Sequence, residues 1–337
     1  MGEKYFCKVC GKETEENIVV IKESMIGTHE EFEYNECEHC KSLELINIPK
    51  DMSKYYEGEY YSFQNYNKLT NFVMKHLKNS YFKKDIIGNI LKKFLSENKE
   101  LFELMSKMFK ENKINYNSKI LDIGCGSGAF LHDLSEIGFN DLNGMEPFIE
   151  EEINVKEFKI YKSLIESFNP NKTYDLIFLK DSLEHMEDPF SSLKKAEELL
   201  DDEGYLIITI PVKTEYFYNL YGEYWFQLDA PRHLVTFSLE GFEAMIEKLN
   251  LTIEDIIFNS TPSAFIISED YLKGNSMYSE NSFFTRNILK NEIRKEIRKT
   301  NIEKLDIKTT FYKLNPLIGE LNDNQNSEHA IFLLNKA

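Results

Sequence analysis

Ile120, Leu121 and Ile123 form a short apolar run that breaks into Gly124-x-Gly126-x-Gly128. Phe130, Leu131, Leu134 and Ile137 follow at helical spacing, and then Gly138. The run predicts a buried parallel strand, the glycines a tight turn, and the periodic residues a helix capped by Gly138. Strand, glycine turn and helix let a backbone approach a bound nucleotide closely, because glycine carries no Cβ to collide with it. A chain built around such a turn is expected to be an α/β protein. Asp122, on the strand, either buttresses the loop or reaches the polar end of the ligand. Cys125 reads as a small residue packed beneath that ligand.

The alternation of strands and helices continues downstream. Asp141 to Glu146 reads as a second strand. Glu146 stands about twenty residues past the glycines, where an acidic side chain can accept both ribose hydroxyls of a nucleoside. Lys159-Ile160-Tyr161 is a short third strand, and Ser163 and Leu164 after it are expected beside an adenine. Tyr174 to Leu179 is a buried fourth strand, followed by a turn that Lys180 and Asp181 open. Asp188 and Pro189 then predict the cap and first turn of a helix that buries Phe190, Leu193, Ala196, Leu199 and Leu200. Tyr205 to Pro211 is a fifth strand, Ile253 to Phe258 a sixth and Glu328 to Leu334 a seventh. Residues 213–237 read as a loop dense in Tyr216, Tyr218, Tyr221, Tyr224, Trp225 and Phe226. Ligands of open α/β sheets sit at the carboxyl ends of strands, so this loop and the 181–185 turn are expected to face the ligand.

Residues 1–48 carry a separate signal. Cys7-x-x-Cys10 is answered by Cys37-x-x-Cys40 across a stretch of strand character, the spacing of a zinc ribbon. Four thiolates would close the shell around Zn²⁺ and leave no position for water, so the site is expected to be structural. Four free thiols or two disulfides are the competing readings, and His39 is an alternative donor. Residues 49–114 read as a helical cap or linker. In it Tyr55, Tyr56, Tyr60 and Tyr61 either line an entrance or pack the linker onto the main domain. Helical spacing runs from Leu69, Phe72, Val73 and Leu77 through Ile86, Ile90 and Phe94 to Leu101, Leu104, Met105 and Met108, with His76 on the stripe as a packing residue.

Across 337 residues, 42% hydrophobic content is ample for a packed core. A net charge of −17 opposes general nucleic-acid binding, which needs a basic surface. No apolar run reaches the length of a membrane span, and no signal-peptide core opens the chain, so a cytoplasmic location is expected.

LDIGCGSG (121–128), YDLIFLKDSLEHMEDP (174–189) and GYLIITIP (204–211), in this order and spacing, resemble the class I S-adenosylmethionine-dependent methyltransferases. More narrowly they are similar to the bacterial branch with Leu183-Glu184-His185 after the fourth strand. The ribbon, the Tyr55-Tyr56-x-x-x-Tyr60-Tyr61 segment and Asp229-Ala230-Pro231-Arg232-His233 resemble members of that branch among sugar- and polysaccharide-modifying enzymes. The resemblance implies a Rossmann-like seven-stranded methyltransferase domain over 115–337, with a helical insertion at about 261–325. That insertion holds Lys290, Arg294, Lys295, Arg298 and Lys299, either a solvated face or a hold on a phosphate-bearing substrate or partner. S-adenosylmethionine would be held by Asp122, Gly124, Cys125, Gly126, Gly128, Glu146, Ser163, Leu164, Lys180 and Asp181.

The cofactor's sulfonium is itself a strong methyl donor, so the protein must align an acceptor and take its proton. His233 is the preferred base and His185 the other candidate, with Asp229 and Arg232 orienting it or binding substrate. The expected function is O-methylation of a sugar or nucleotide-linked sugar in surface polysaccharide synthesis. The alternatives are a sugar C-methyltransferase, an RNA methyltransferase gripping RNA through the ribbon, and a non-catalytic cofactor-binding scaffold.

Overall fold

A computed structural model describes residues 4–56, 99–280, 282 and 307–337. Tyr60 and Tyr61, the helical spacing from Leu69 to Phe94 with His76, and the basic cluster from Lys290 to Lys299 lie outside the described residues.

The chain opens with an antiparallel pair, β1 (Lys4–Phe6) and β2 (Glu13–Glu15). A three-stranded antiparallel sheet follows, formed by β3 (Ile18–Lys22), β4 (Glu31–Glu36) and β5 (Leu43–Leu45). Helix α1 (Lys99–Lys110) buries Leu101, Leu104, Met105 and Met108, the face its periodicity predicts. The α/β core then runs β6 (Lys119–Ile123), α2 (Ala129–Ile137), β7 (Asp141–Met145), β8 (Ile153–Asn154) and β9 (Lys159–Tyr161). It continues with β10 (Tyr174–Lys180), α3 (Pro189–Leu199) and β11 (Leu200–Lys213). Asp188 caps α3, its side chain accepting from the Ser191 N–H.

Strands β9, β7, β6, β10 and β11 pair in parallel in that order. Chain direction across the sheet reverses between β6 and β10, which opens a crevice at their carboxyl ends. Beyond β11 the sheet is closed by β14 (His329–Lys336), antiparallel to β11 and to β13 (Leu251–Phe258). All seven core strands predicted from the apolar runs are therefore present. Both faces of the sheet are buried, so Ile120 and Leu121 of β6 and Leu176 to Leu179 of β10 run apolar without alternating.

The segment 213–237 departs from the expected loop. It contains α4 (Glu215–Tyr221) and, at its end, β12 (Val235–Ser238). Strand β12 pairs in parallel with the end of β11 and antiparallel with β5. The ribbon strands and the α/β sheet are thus continuous. Four residues paired on one side with β5, some 190 positions away, leave little periodic signal, which is why this strand is invisible in the sequence. Three aromatic residues of the segment turn inward, while Tyr216 stays exposed. Trp225, Phe217 and Tyr221 pack with Tyr34, Tyr55 and Phe265 in a third apolar cluster beneath the ribbon. Helix α5 (Leu239–Ile246) follows, capped by Ser238, whose Oγ accepts from the Gly241 N–H. Helices α6 (Ser263–Leu272) and α7 (Ile307–Asp323) occupy the described ends of the 261–325 segment, and Phe265, Ile318 and Leu321 join the same cluster.

Candidate active site

The glycine turn sits at the carboxyl end of β6, in the crevice. Gly124 has φ 76°, and a Cβ there would meet the Ser182 Cβ at 2.6 Å, so only glycine lets the two turns approach. Its N–H donates to the Met145 carbonyl (2.8 Å), which ties the loop to β7. Cys125 packs down on that strand: a Cβ on Gly144 would lie 2.5 Å from its Sγ. Burial pushes the Cys125 thiol well up, which suits an inert packing residue.

Two carboxylates flank the loop. Asp122 is buried beneath it with Oδ1 unpartnered among the described residues. Burial pushes it up to about 7, with Lys180 pulling the other way. Glu146, at the end of β7, accepts the Gly126 N–H on Oε2 and the Phe148 N–H on Oε1, both at 3.1 Å. Burial raises its pKa while the two amides oppose the rise. Each oxygen keeps a lone pair, so a diol can still bind. Beyond β9, Ser163 is half-buried and Leu164 is 57% exposed. Phe148, whose N–H is held by Glu146, is 82% exposed and carries no periodic signal in the sequence. An exposed phenyl ring two residues after the acidic strand end offers an apolar surface that a flat base would cover.

On the other side of the crevice, the turn after β10 carries Lys180, Asp181 and a 3₁₀ turn over Leu183–His185. The Lys180 Nζ lies 3.2 Å from Asp181 Oδ2. His185 Nδ1 sits 2.8 Å from the Arg232 carbonyl, and His233 Nδ1 sits 2.7 Å from the Gln227 carbonyl. Carbonyls only accept, so both rings carry the proton on Nδ1 and leave Nε2 available. The rings meet edge to face at 4.8 Å between centroids. His233 Nε2 faces two carboxylates, Asp229 Oδ2 at 3.7 Å and Glu184 Oε1 at 4.0 Å. Burial lowers the His233 pKa to about 4 and lowers that of His185, and it drives Glu184 well up. Glu184, His185 and His233 bring one donor atom each within 4.8 Å of one another, a set able to hold a divalent cation or to share a proton.

Arg232 is 1% exposed, and its donors are engaged by the protein. It pairs through Nε and Nη2 with both Asp229 oxygens and donates from Nη1 to the Tyr55 carbonyl at 2.6 Å. Its guanidinium pairs with Asp229, whose Oδ2 lies 3.7 Å from His233 Nε2. Tyr55 is buried and donates to Glu30 Oε2 at 2.6 Å, whereas Tyr56 lies edge-on against His185 at 6.5 Å.

The ribbon grips this same segment. Buried Tyr34 donates its hydroxyl to the His233 carbonyl (2.9 Å), and the Leu45 N–H donates to the Leu234 carbonyl (2.8 Å). The Ser238 hydroxyl donates to the Cys40 carbonyl. Cys7 and Cys40 Sγ are 3.8 Å apart, and Cys10 and Cys37 Sγ 3.7 Å, with all four within 4.8 Å. A tetrahedral zinc ion with bonds of about 2.3 Å requires sulfur–sulfur edges of about 3.8 Å, so the four thiols fit it.

Residues 93–256 match the family model described as a methyltransferase domain. That stretch, just under half of the chain, carries a class I S-adenosylmethionine-dependent methyltransferase domain. Among curated proteins, the methyltransferase is similar to a "Ubiquinone biosynthesis O-methyltransferase" of Rickettsia bellii, 24% identical over 187 residues that cover 49% of this chain and 78% of that protein. Among solved structures, the chain matches a plantazolicin methyltransferase in complex with SAH (18% identity, 78% of this chain and 96% of that one, TM-score 0.42). Another is a putative sarcosine dimethylglycine methyltransferase from Galdieria sulphuraria (15% identity, 70% and 84%, TM-score 0.43). The residues singled out in the sequence fall into two groups within this methyltransferase. Asp122, the glycines, Cys125, Glu146, Lys180 and Asp181 border the crevice around β6. Asp229, Arg232, His185 and His233 gather next to it at the ends of β10 and β12.

Proposed function

We propose that this methyltransferase transfers the methyl group of S-adenosylmethionine to a hydroxyl of a small-molecule acceptor, with His233 taking the acceptor's proton. The observation that carries the reading is the arrangement of His233: Nδ1–H is given to a carbonyl, and Nε2 faces Asp229 and Glu184 next to the crevice. A ring neutral at physiological pH has its lone pair ready. Once it takes the proton, the Asp229 carboxylate, held ionised by Arg232, stabilises the imidazolium. Glu146 holds the ribose, Phe148 and Leu164 flank the adenine, and the glycine turn admits the methionine end. The similarity to curated O-methyltransferases supports oxygen as the atom methylated. A sugar or nucleotide-linked sugar is the acceptor class favoured by the resemblance of the ribbon and of residues 229–233. The four cysteines hold Zn²⁺ in a structural role.

The test is release of S-adenosylhomocysteine from a panel of hydroxylated acceptors, sugars and nucleotide sugars included. His233→Ala should lower turnover by roughly 10²–10⁴ and leave S-adenosylhomocysteine affinity within about twofold. Unchanged turnover removes His233 from the reaction.

A further inference from the structure

Asp181 stands where the crevice of the glycine turn meets the histidine cluster. Its backbone is left-handed (φ 49°), a conformation that a non-glycine residue keeps only where its surroundings hold it. The Asp181 N–H donates to the Thr209 carbonyl (2.9 Å) and lies 3.1 Å from Thr209 Oγ1. Oδ1 accepts from Thr209 Oγ1 (2.8 Å), and His329 Nε2 sits 2.8 Å from the same oxygen. His329 opens β14, and its Nδ1 lies 2.7 Å from Asn259 Oδ1 just past β13, so the ring is pinned at both nitrogens. Among the described residues Oδ2 has only Lys180 Nζ, at 3.2 Å, as a partner, and the side chain is 41% exposed. Asp122 under the glycine turn, and Glu184 and His185 beyond it, all feel this charge. A cofactor whose ribose lies at Glu146 extends its sulfur across β6 toward Asp181.

We propose that His329 is a positioning residue that aims the Asp181 carboxylate at the sulfonium of bound S-adenosylmethionine, an inference that rests on the cofactor placement given above. Methyl transfer removes the positive charge from sulfur. A carboxylate fixed at that point therefore favours the substrate cofactor over the product S-adenosylhomocysteine, and the preference disappears once the methyl group has left. Three groups from three strands, Thr209 on β11, His329 on β14 and Lys180 on β10, converge on one exposed carboxylate, an arrangement that burial of the sheet edge alone does not require.

Calorimetric titration of the full chain with S-adenosylmethionine and S-adenosylhomocysteine tests this without knowledge of the acceptor. Asp181→Asn and His329→Ala should each weaken S-adenosylmethionine binding about tenfold and leave S-adenosylhomocysteine within about twofold. His329→Gln, whose amide nitrogen can stand where Nε2 stood, should restore most of the preference. Equal losses for both ligands in His329→Ala, or no loss, overturn the proposal, and S-adenosylhomocysteine binding by the variants reports that they are folded. A wild-type chain that binds neither ligand overturns the cofactor placement as well.

Discussion

Tyr34→Phe isolates the hold that the ribbon has on the histidine segment. Tyr34 is completely buried on β4, and its hydroxyl donates to the backbone carbonyl of His233 at 2.9 Å. Phenylalanine preserves the buried ring and its packing against the third apolar cluster, so almost no area term changes. What is lost is one hydrogen bond whose acceptor stays in a dry interior, a change that costs about 1–3 kcal/mol. For a chain of this size each kcal/mol moves the melting midpoint by roughly 2 °C, so the variant should melt about 2–6 °C lower. The measurement is a thermal melt followed by circular dichroism, with and without S-adenosylhomocysteine. Because Tyr34 touches none of the residues around the glycine turn, ligand affinity at 25 °C should be unchanged while turnover falls with the looser His233 backbone. A midpoint within half a degree of wild type would refute the reasoning that this bond ties the two parts together.

Other consequences are equally direct. The purified chain should carry about one zinc per molecule by elemental analysis, and prolonged chelation should lower the melting midpoint and perturb the His233 segment through the β5–β12 pairing; a metal-free chain of undiminished stability contradicts the ribbon reading. Burial raises the Glu328 carboxyl to about 8, against hydrogen bonds from Trp225 and Gln227 that lower it. A native pKa above the unfolded value of about 4.3 means that stability from this group is fully present below that value and is lost as pH rises toward 8. Glu328→Gln, which still accepts from Trp225 Nε1, should therefore flatten the fall in melting temperature between pH 5 and 8, and parallel profiles would rule the effect out.

Much of the α/β core was legible because its strands are buried on both faces and read as short, nearly unbroken apolar runs. The glycine spacing and the paired cysteines carried equally local signals. What stayed hidden depended on contacts distant in sequence. Strand β12 exists because β5 and β11 flank it, not because Val235 to Ser238 is a strong strand sequence. The aromatic residues from Tyr216 to Phe226 suggested a ligand-facing loop, yet Trp225 is buried, with its Nε1–H donating to Glu328 Oε2 from the chain's far end. For Arg232 the sequence offers both an orienting and a substrate-binding role, because its burial against Asp229 and Tyr55 depends on the fold. His329 had no pattern at all: a lone polar residue at the head of an apolar strand becomes meaningful only when Asp181 is placed beside it.

The most direct test of the account is calorimetric titration of the zinc-loaded chain and of Glu146→Ala with S-adenosylhomocysteine. The account predicts micromolar binding by the wild type and a loss of a few kcal/mol, roughly a hundredfold, in the variant, because two charge-assisted hydrogen bonds to the ribose disappear. Equal affinity in the two proteins would contradict the placement of the nucleoside at the end of β7.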